Sequence, residues 1–520
     1  MSARILWALA ISDFRERVRR PAFLAILLAA VALGYAAAPP ASANYAMLSL
    51  GGYRGVYDSE YLGTVLALMG GMWLSFAGFY VVKNSIARDA TTGVGQILAA
   101  TPVLKSAYTF GKFLSNFMVL IALTAILALM APAMQVLRSE STAIDPAGLW
   151  LPFLLFPTPM IALTAALAVV FETLRPLRGG LGNVMWFFGW LAAVSTLALG
   201  SSSLDPLGLR AVAATMRADL IAQHPQVSGT ALSAGLITQQ HPLGHFDWSG
   251  LDITAGLLAG RFAMLVLAAG LALLSALWFT RFDPSRKVRP STTTLDPTVN
   301  VEDFSSGLAP VPATSATASR PNITVSAVPG APAVRGRVFG GLVVGELRIL
   351  VRGVPRWWLL GSLALLLASL VVPASWVAFP MLPLSWVWPV LIWSRLGTQQ
   401  HEHHVHLLVG SALARRRRLA AEWLAGLSLT AFAGLGPLVR MGVATDWVGI
   451  AAWSGGVVFI PSLALALGVL GRSNRLFQGV YLMLWYMVMN SVAALDFMGA
   501  IRENGHSLGP GPLSLSLIHI

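Results

Sequence analysis

The chain has 520 residues, of which 56% are hydrophobic and only 11% are charged, and its mean hydropathy is +0.70. Soluble domains carry about 25% charged residues, so this composition predicts a membrane protein. Cysteine is absent, which excludes a disulfide framework, a zinc–thiolate site and a cysteine nucleophile. The net charge of +13 would suit nucleic acid, but the basic residues lie on alternate loops. We therefore attribute the charge to orientation in the bilayer and expect no nucleic-acid partner.

Eleven segments are apolar enough to cross a bilayer, which takes about 20 residues of helix. They lie near residues 22–38, 62–82, 116–136, 150–171, 183–200 and 259–280, and then near 357–373, 377–394, 422–439, 449–471 and 477–495. Residues 3–20 precede them as an amphipathic stretch that ends in arginines. This pattern is typical of a helix that lies at the bilayer surface.

The loops between these spans alternate in charge. The N-terminal segment and every second loop are basic, and the loop after the second span holds Lys83, Arg88, Lys105 and Lys112. The short loops between them carry single basic residues such as Arg54, Arg138 and Arg440. Because cytoplasmic loops carry the excess of lysine and arginine, the pattern predicts a cytoplasmic N-terminus.

The two parts of the chain resemble each other. Residues 13–19 match residues 346–352 in the positions of one acidic residue and two arginines, and Trp186 matches Trp485. The order of the matches is the same in both parts, which indicates an internal repeat. We therefore predict an all-α polytopic membrane protein of two parallel six-span halves, of which the second is incomplete, so that about 11 spans are present.

The repeat includes the polar segments that follow the second span of each half. When Leu98 is aligned with Leu408, Lys112 falls on Glu422 without a gap. A membrane protein that repeats a polar segment between spans uses it twice, most simply to contact something in the cytoplasm. These two segments are therefore the candidate functional regions.

Composition divides the chain into four parts. The first half covers 1–282, a linker rich in Pro, Ser, Thr and Ala covers 283–340, and the second half covers 341–514. The linker composition predicts a disordered cytoplasmic segment. The final hexapeptide, 515–520, matches the translation of a common sequencing-library transposon end. We interpret it as adapter read-through and expect the natural chain to continue into a twelfth span.

Motifs for catalysis are sparse. No phosphate-binding loop of the Gly-x-x-x-x-Gly-Lys-Ser/Thr type is present, so we expect no ATPase site, no enzyme activity and no cofactor in this chain. A histidine cluster beside Glu402 leaves metal binding and a polar contact surface both open, and its members are His401, His403, His404 and His406. The basic run 415–418 anchors the topology, and contacts with anionic lipid or with a partner stay open. The middle of the spans holds no convincing pair of charged residues, which argues against an ion-coupled pump.

The polar segment after the second span resembles the ABC-2 class of ABC transporter permeases. The resemblance lies in Arg88-Asp89, Gly93, Leu98, Thr101-Pro102-Val103, Tyr108 and Gly111-Lys112. The basic surface helix, the six spans and the larger external insertion at 201–258 fit the same class. The second half matches in part and has Glu422 where the first half has Lys112.

The resemblance implies a multi-pass permease subunit in the inner (plasma) membrane of a bacterial-type cell. Such a subunit moves a substrate, here unidentified and expected to be exported, with power from a separate ATPase subunit. The residues expected at the ATPase contact are Asp89, Gly93, Leu98, Thr101, Pro102 and Lys112, with Leu408 and Glu422 in the second half. The alternative is a membrane-anchoring module of a larger assembly or enzyme whose soluble domain follows the C-terminus.

Overall fold

The computed structural model describes residues 3–40, 43, 45–198, 205–227, 232–238, 243–282, 338–352, 354, 356–398, 415–471, 473–490, 492–503 and 506–507. Most of these residues are helical and few are in strands. The predicted linker lies outside the described residues as far as residue 337, and its last three residues already belong to a helix that begins at Val338. The final hexapeptide also lies outside them.

The first half contains eleven helices among its described residues. They are α1 (Ala3–Val18), α2 (Pro21–Ala37), α3 (Ser59–Val82), α4 (Ser85–Thr91), α5 (Val94–Ala99), α6 (Lys105–Arg138), α7 (Pro146–Leu155), α8 (Pro157–Thr173), α9 (Gly180–Ala198), α10 (Leu209–Gln223) and α11 (Ala255–Leu274). Proline begins α2, α7 and α8, where a missing backbone N–H costs nothing because the first turn has no acceptor for it.

The described residues of the second half contain eight helices. They are α12 (Val338–Val351), α13 (Arg356–Val371), α14 (Leu382–Val387), α15 (Val390–Trp393), α16 (Arg415–Ala433), α17 (Leu435–Val443), α18 (Trp447–Gly471) and α19 (Asn474–Met489). The span predicted at 377–394 is broken into a π-helical segment, Val377–Met381, followed by α14 and α15. The cause is its proline content, because Pro380, Pro383 and Pro389 each remove a backbone donor.

Five helical segments are long and apolar enough to cross a membrane by themselves. They are Ser59–Thr91, Lys105–Arg138, Pro146–Thr173, Ala255–Leu277 and Trp447–Gly471. Two bent pairs, α1 with α2 at 80° and α16 with α17 at 57°, raise the number to seven if each pair is one span. The mostly helical fold is therefore confirmed and the helix lengths are consistent with a membrane protein, whereas eleven spans in two six-span halves stay a prediction.

A small sheet corrects the expectation of an all-α chain. Its strands lie in the order β3-β1-β2-β4 and are β1 (Tyr45–Leu50), β2 (Tyr53–Gly55), β3 (Leu232–Thr238) and β4 (Gly244–Phe246). Strand β1 pairs antiparallel with β2 and β3, and β2 pairs parallel with β4. The sheet thus joins the loop after the first span to the insertion at 201–258, at the end of the bundle predicted to be external.

Asp58 caps α3 beside this sheet. Its carboxylate accepts a hydrogen bond from the Tyr61 backbone N–H at 2.9 Å, which satisfies a free donor of the first helical turn. Burial, together with the charges of Glu60 and Asp247, raises the pKa of Asp58 to about 6 against the opposing effect of the hydrogen bond from Tyr61. This cap therefore titrates near neutral pH.

Two hydrophobic cores hold the helices together. The first packs α2, α3, α6 and α8 around side chains such as Phe79, Leu120 and Ile161. The second is built mainly from α14, α18 and α19, and it also takes Phe76 and Phe187 from the first half. Because the second core crosses between the halves, they pack directly on each other.

Candidate functional site

Asp13 on α1 lies at the centre of a buried ion network. Its carboxylate is 2.9 Å from Arg17 Nη2 and 3.1 Å from Lys112 Nζ, and it accepts the Ser115 hydroxyl at 2.6 Å. Arg88 also pairs with it. Burial by itself raises the pKa of this carboxyl, but the neighbouring cations and the Ser115 hydroxyl outweigh burial and hold the pKa well below its usual range. Asp13 is therefore ionised and ties α1 to α4 and α6.

Asp89 and Lys112, both expected at a partner contact, extend this network inside the molecule. Lys112 Nζ lies 2.8 Å from Asp89 Oδ2, and the Tyr108 hydroxyl donates to the same oxygen at 2.7 Å. Asp89 is 6% exposed and Lys112 is 7% exposed. Little of either side chain can touch another protein in this structure, so they position the segment that carries them.

Glu172, at the end of α8, is a site residue that the sequence analysis missed. Its two carboxylate oxygens accept the backbone N–H groups of Asn84, Ser85, Ile86 and Ala87 at 2.6–3.1 Å. These are the free donors at the beginning of α4, so the charge of Glu172 caps that helix from outside. The available signal was a lone acidic residue at the end of an apolar span.

Residues 83–104, which we call the elbow, carry α4 and α5 between α3 and α6. Gly93 joins the two short helices at φ +79°, in the left-handed region that favours glycine. Gly95 allows close packing, because a Cβ built there would lie 2.7 Å from the Phe282 ring. The Thr101 hydroxyl donates to the Leu98 carbonyl at 2.8 Å, and Pro102 is exposed. The turn at Gly93 therefore sets the direction of α5.

The apolar tip of the elbow lies beside Leu98, one of the residues expected at the ATPase contact. Leu98 is half-buried and packs against the first core, whereas Ile97 is 68% exposed. Val94 and Leu104 are also exposed, at 44% and 57%. Because residues three apart share a helix face, Val94 and Ile97 form one outward stripe. The side chain free to enter a partner groove is Ile97.

The second half has a related but simpler arrangement. Arg418 on α16 pairs with Glu346 on α12 at 3.1 Å, much as Lys112 pairs with Asp13. Glu422 is 2% exposed and accepts the backbone N–H of Gly397, so it fastens the end of the second span to α16. Leu408 and the four clustered histidines lie outside the described residues.

A chain of polar side chains links the halves at the same end of the bundle. Lys83 Nζ donates to Asn183 Oδ1 at 2.6 Å, and Asn183 Nδ2 donates to Gln478 Oε1 at 2.6 Å. Gln478 Nε2 in turn donates to the Ser394 hydroxyl at 3.0 Å. These hydrogen bonds begin at the end of the second span of the first half and end at the second span of the second half. Between them they pass through the beginning of the fifth span of each half. All four residues are buried, so the polar groups satisfy one another.

The acidic side chains of this region do not form a metal site among the described residues. No group of three or more His, Asp or Glu side chains there has the geometry of a metal site. Asp13, Arg17, Arg88, Asp89 and Lys112 are paired with one another, and these pairs position α1, α4 and α6.

These features define a mostly helical protein with helices long and apolar enough to cross a membrane, and with an ion-paired elbow at the end of the bundle where its basic loops gather. No protein-family model, no curated protein and no solved structure matches the chain. What the elbow does is therefore argued from its geometry.

Proposed function

We propose that this chain is the membrane-spanning subunit of an ABC-2 type transporter, and that a separate ATPase subunit docks on the elbow. The transporter moves a substrate, as an exporter, across the inner membrane of a bacterial-type cell. The chain supplies the path through the bilayer, and the ATPase supplies the energy. The resemblance of the elbow sequence to ABC-2 permeases first suggested this function, and the geometry of the elbow supports it.

The observation that carries the proposal is that the elbow is apolar and exposed at its tip but fixed at its base. The base is joined to four helices. It follows α3 directly in the sequence, and side-chain interactions with Asp13, Lys112 and Glu172 connect it to α1, α6 and α8. The tip exposes Val94 and Ile97. A push on such a tip moves the attached helices as one body, which is what coupling to an ATPase requires.

The energy available at the tip fits a docking contact. Complete burial of an isoleucine side chain contributes about 1.5–3 kcal/mol. Ile97 is 68% exposed, so burial of its free surface would contribute on the order of 1–2 kcal/mol. Val94 and Leu104 would add to this, and together these side chains could anchor a partner without any charged contact.

Internal correspondences support two related halves. Helix α1 packs on α6 through an acid–base pair, and α12 packs on α16 in the same way. The matched tryptophans behave alike, because Trp186 donates to the Phe76 carbonyl at 3.2 Å and Trp485 to the Pro383 carbonyl at 2.9 Å. In both cases the fifth span is bonded to the second span of its own half. One chain with two such halves would supply both sides of a path that two permease subunits otherwise form.

The proposed orientation is testable with single cysteines, because these 520 residues contain none. Lys105 is exposed and begins α6 directly after the elbow, and Ile144 lies in the loop between α6 and α7. A maleimide that cannot cross the membrane should label Ile144→Cys in intact cells and Lys105→Cys only after the cells are opened. Labelling of both residues from the outside would contradict the orientation.

Photocrosslinking tests the docking contact. A photoreactive amino acid at position 97 should form a covalent adduct, in cells, with a protein that carries a phosphate-binding loop. The same amino acid at position 144 is the matched control, because Ile144 is also an exposed isoleucine, at 54%. No such adduct is expected there.

The anchoring alternative predicts a different outcome of the same experiment. If the spans only anchor a larger assembly, position 97 should yield no ATPase adduct even though the chain is inserted and folded. An adduct from both positions would reflect nonspecific proximity and would also count against the docking proposal.

A further inference from the structure

A cavity of about 370 Å³ lies beside the elbow, between α1, α2, α3, α4 and α19. Its size falls within the range of about 300–1,000 Å³ that is common for ligand pockets. Its lining includes five cationic side chains and no carboxylate, and the cationic residues are Arg17, Arg20, Lys83, Arg88 and Arg475. Four of them belong to the first half and Arg475 belongs to the second.

The positive charge in this cavity is not fully compensated by the protein. Asp13 is shared by Arg17, Arg88 and Lys112, and exposed Glu16 is shared by Arg20 and Arg88. Glu172 uses both of its oxygens on backbone N–H groups. Lys83 and Arg475 have no carboxylate within 4.0 Å among the described residues and donate to carbonyl or amide oxygens instead. The Nε of Arg17, a residue only 8% exposed, is buried and donates to no atom of the described residues. Buried donors of this kind favour an anionic ligand.

The other wall of the cavity is apolar. Phe23 and Ile26 on α2, with Val81, Val82 and Val119, line it on the side of the predicted spans. A cavity lined by cations and by an apolar wall along a span suits a molecule that is anionic at one end and apolar at the other. A free phosphate ion and the phosphate of a lipid headgroup could both bind the cations. The apolar wall favours the lipid.

We propose that this cavity binds the phosphate headgroup of an anionic phospholipid from the cytoplasmic leaflet, and that the lipid bridges the two halves. Arginine and lysine between spans on the cytoplasmic side are suited to such headgroups. The bridge follows from Arg475, which donates to the Lys83 carbonyl at 2.7 Å and so faces the first half. The inference rests on the membrane placement of the chain and does not require the ATPase.

Native mass spectrometry of the full chain in a neutral detergent tests this site. Phosphatidylglycerol, phosphatidylcholine and inorganic phosphate are added at equal phosphate concentration. The first phosphatidylglycerol should bind at least tenfold more tightly than phosphatidylcholine, and inorganic phosphate should not displace it. Equal affinity for the two lipids would overturn the proposal. Displacement of the lipid by equimolar inorganic phosphate would show that the cavity binds free phosphate and not a lipid.

Variants locate the site. Arg475→Gln and Arg20→Gln should each reduce the preference for phosphatidylglycerol to threefold or less, and Arg20 is exposed, so its variant retains the fold. The matched control is Arg348→Gln, which removes the same charge from an exposed position on α12 that does not line the cavity. An equal loss of preference in the control would mean that general surface charge, and not the cavity, selects the lipid.

Discussion

Replacement of Asp13 by asparagine should be one of the most destabilising isosteric changes in the first half. The carboxylate is 7% exposed and neutralises Arg17, Arg88 and Lys112, which would be left as buried cations with too few partners. Loss of one member of a buried ion pair costs about 3–5 kcal/mol. We therefore expect Asp13→Asn to lower the free energy of unfolding by about that amount.

The matched control lies one turn further along the same helix. Glu16 pairs with Arg20 and Arg88, but its side chain is 52% exposed. Exposed ion pairs contribute about 0–1 kcal/mol, so Glu16→Gln should have a small effect. Unfolding in detergent can be followed by tryptophan fluorescence, because the chain has 17 tryptophans.

Two further arms test the reasoning. Arg17→Met in the Asp13→Asn background should restore part of the lost stability, because it removes the cation that has no other carboxylate within 4.0 Å among the described residues. The second arm is pH. The pKa of Asp13 is lowered in the folded state, so its contribution is complete above the unfolded value of about 3.8 and is lost as the pH falls toward the folded value. The advantage of the wild type over Asp13→Asn should thus be constant near neutrality and shrink below about pH 4. If Asp13→Asn and Glu16→Gln lower the free energy of unfolding by similar amounts, the buried ion pairs of Asp13 do not stabilise the fold in the way described.

Three other predictions concern single residues. Glu172→Gln should speed amide hydrogen exchange in the first turn of α4, because the amide side chain offers one acceptor oxygen in place of two; unchanged protection would mean that the cap is not needed. Asp58→Asn should stabilise the protein at pH 8, with a gain that shrinks below about pH 6 and vanishes below about pH 4, because burial raises the pKa of Asp58 from 3.8 to about 6 and the stability cost grows between these two values. Gly397→Ala should lower the thermal stability more than Gly52→Ala does. Both glycines have a positive φ, +74° and +84°, but only at Gly397 would a Cβ meet backbone atoms, the nearest at 2.8 Å. Equal costs would show that the steric contact relaxes freely.

The helical segments were predictable from the sequence because the signal for a span is local. A run of apolar residues needs no knowledge of its neighbours to be recognised, and each predicted span overlaps a helix or a broken helix among the described residues. The sheet was missed because its pairing is not local. Strand β1 pairs with β3 across almost 190 residues, and neither strand has a strong alternating pattern of its own.

The candidate site was predictable as a region but not as a surface. The residues of the elbow stood out by composition, yet which side of α5 faces outward depends on the packing of Leu98 against the first core. That packing turns Ile97 outward, next to Leu98, which the sequence analysis expected at the ATPase contact. The burial of Asp89 and Lys112 depends on Asp13, which lies more than 70 residues earlier in the chain. Glu172 was missed for the same reason, since its partners lie on another helix.

The central claim is that an ATPase drives this chain through the exposed tip of the elbow. The most direct test is to co-express the chain with the ATPase encoded nearest to its gene, purify it through a tag on the membrane chain, and measure bound ATPase and ATP hydrolysis. The account predicts hydrolysis only when the ATPase is present. It also predicts at least a tenfold loss of bound ATPase for Ile97→Asp, with no loss for Ile144→Asp. Hydrolysis by the membrane chain alone, or equal retention of the ATPase by both variants, would contradict it.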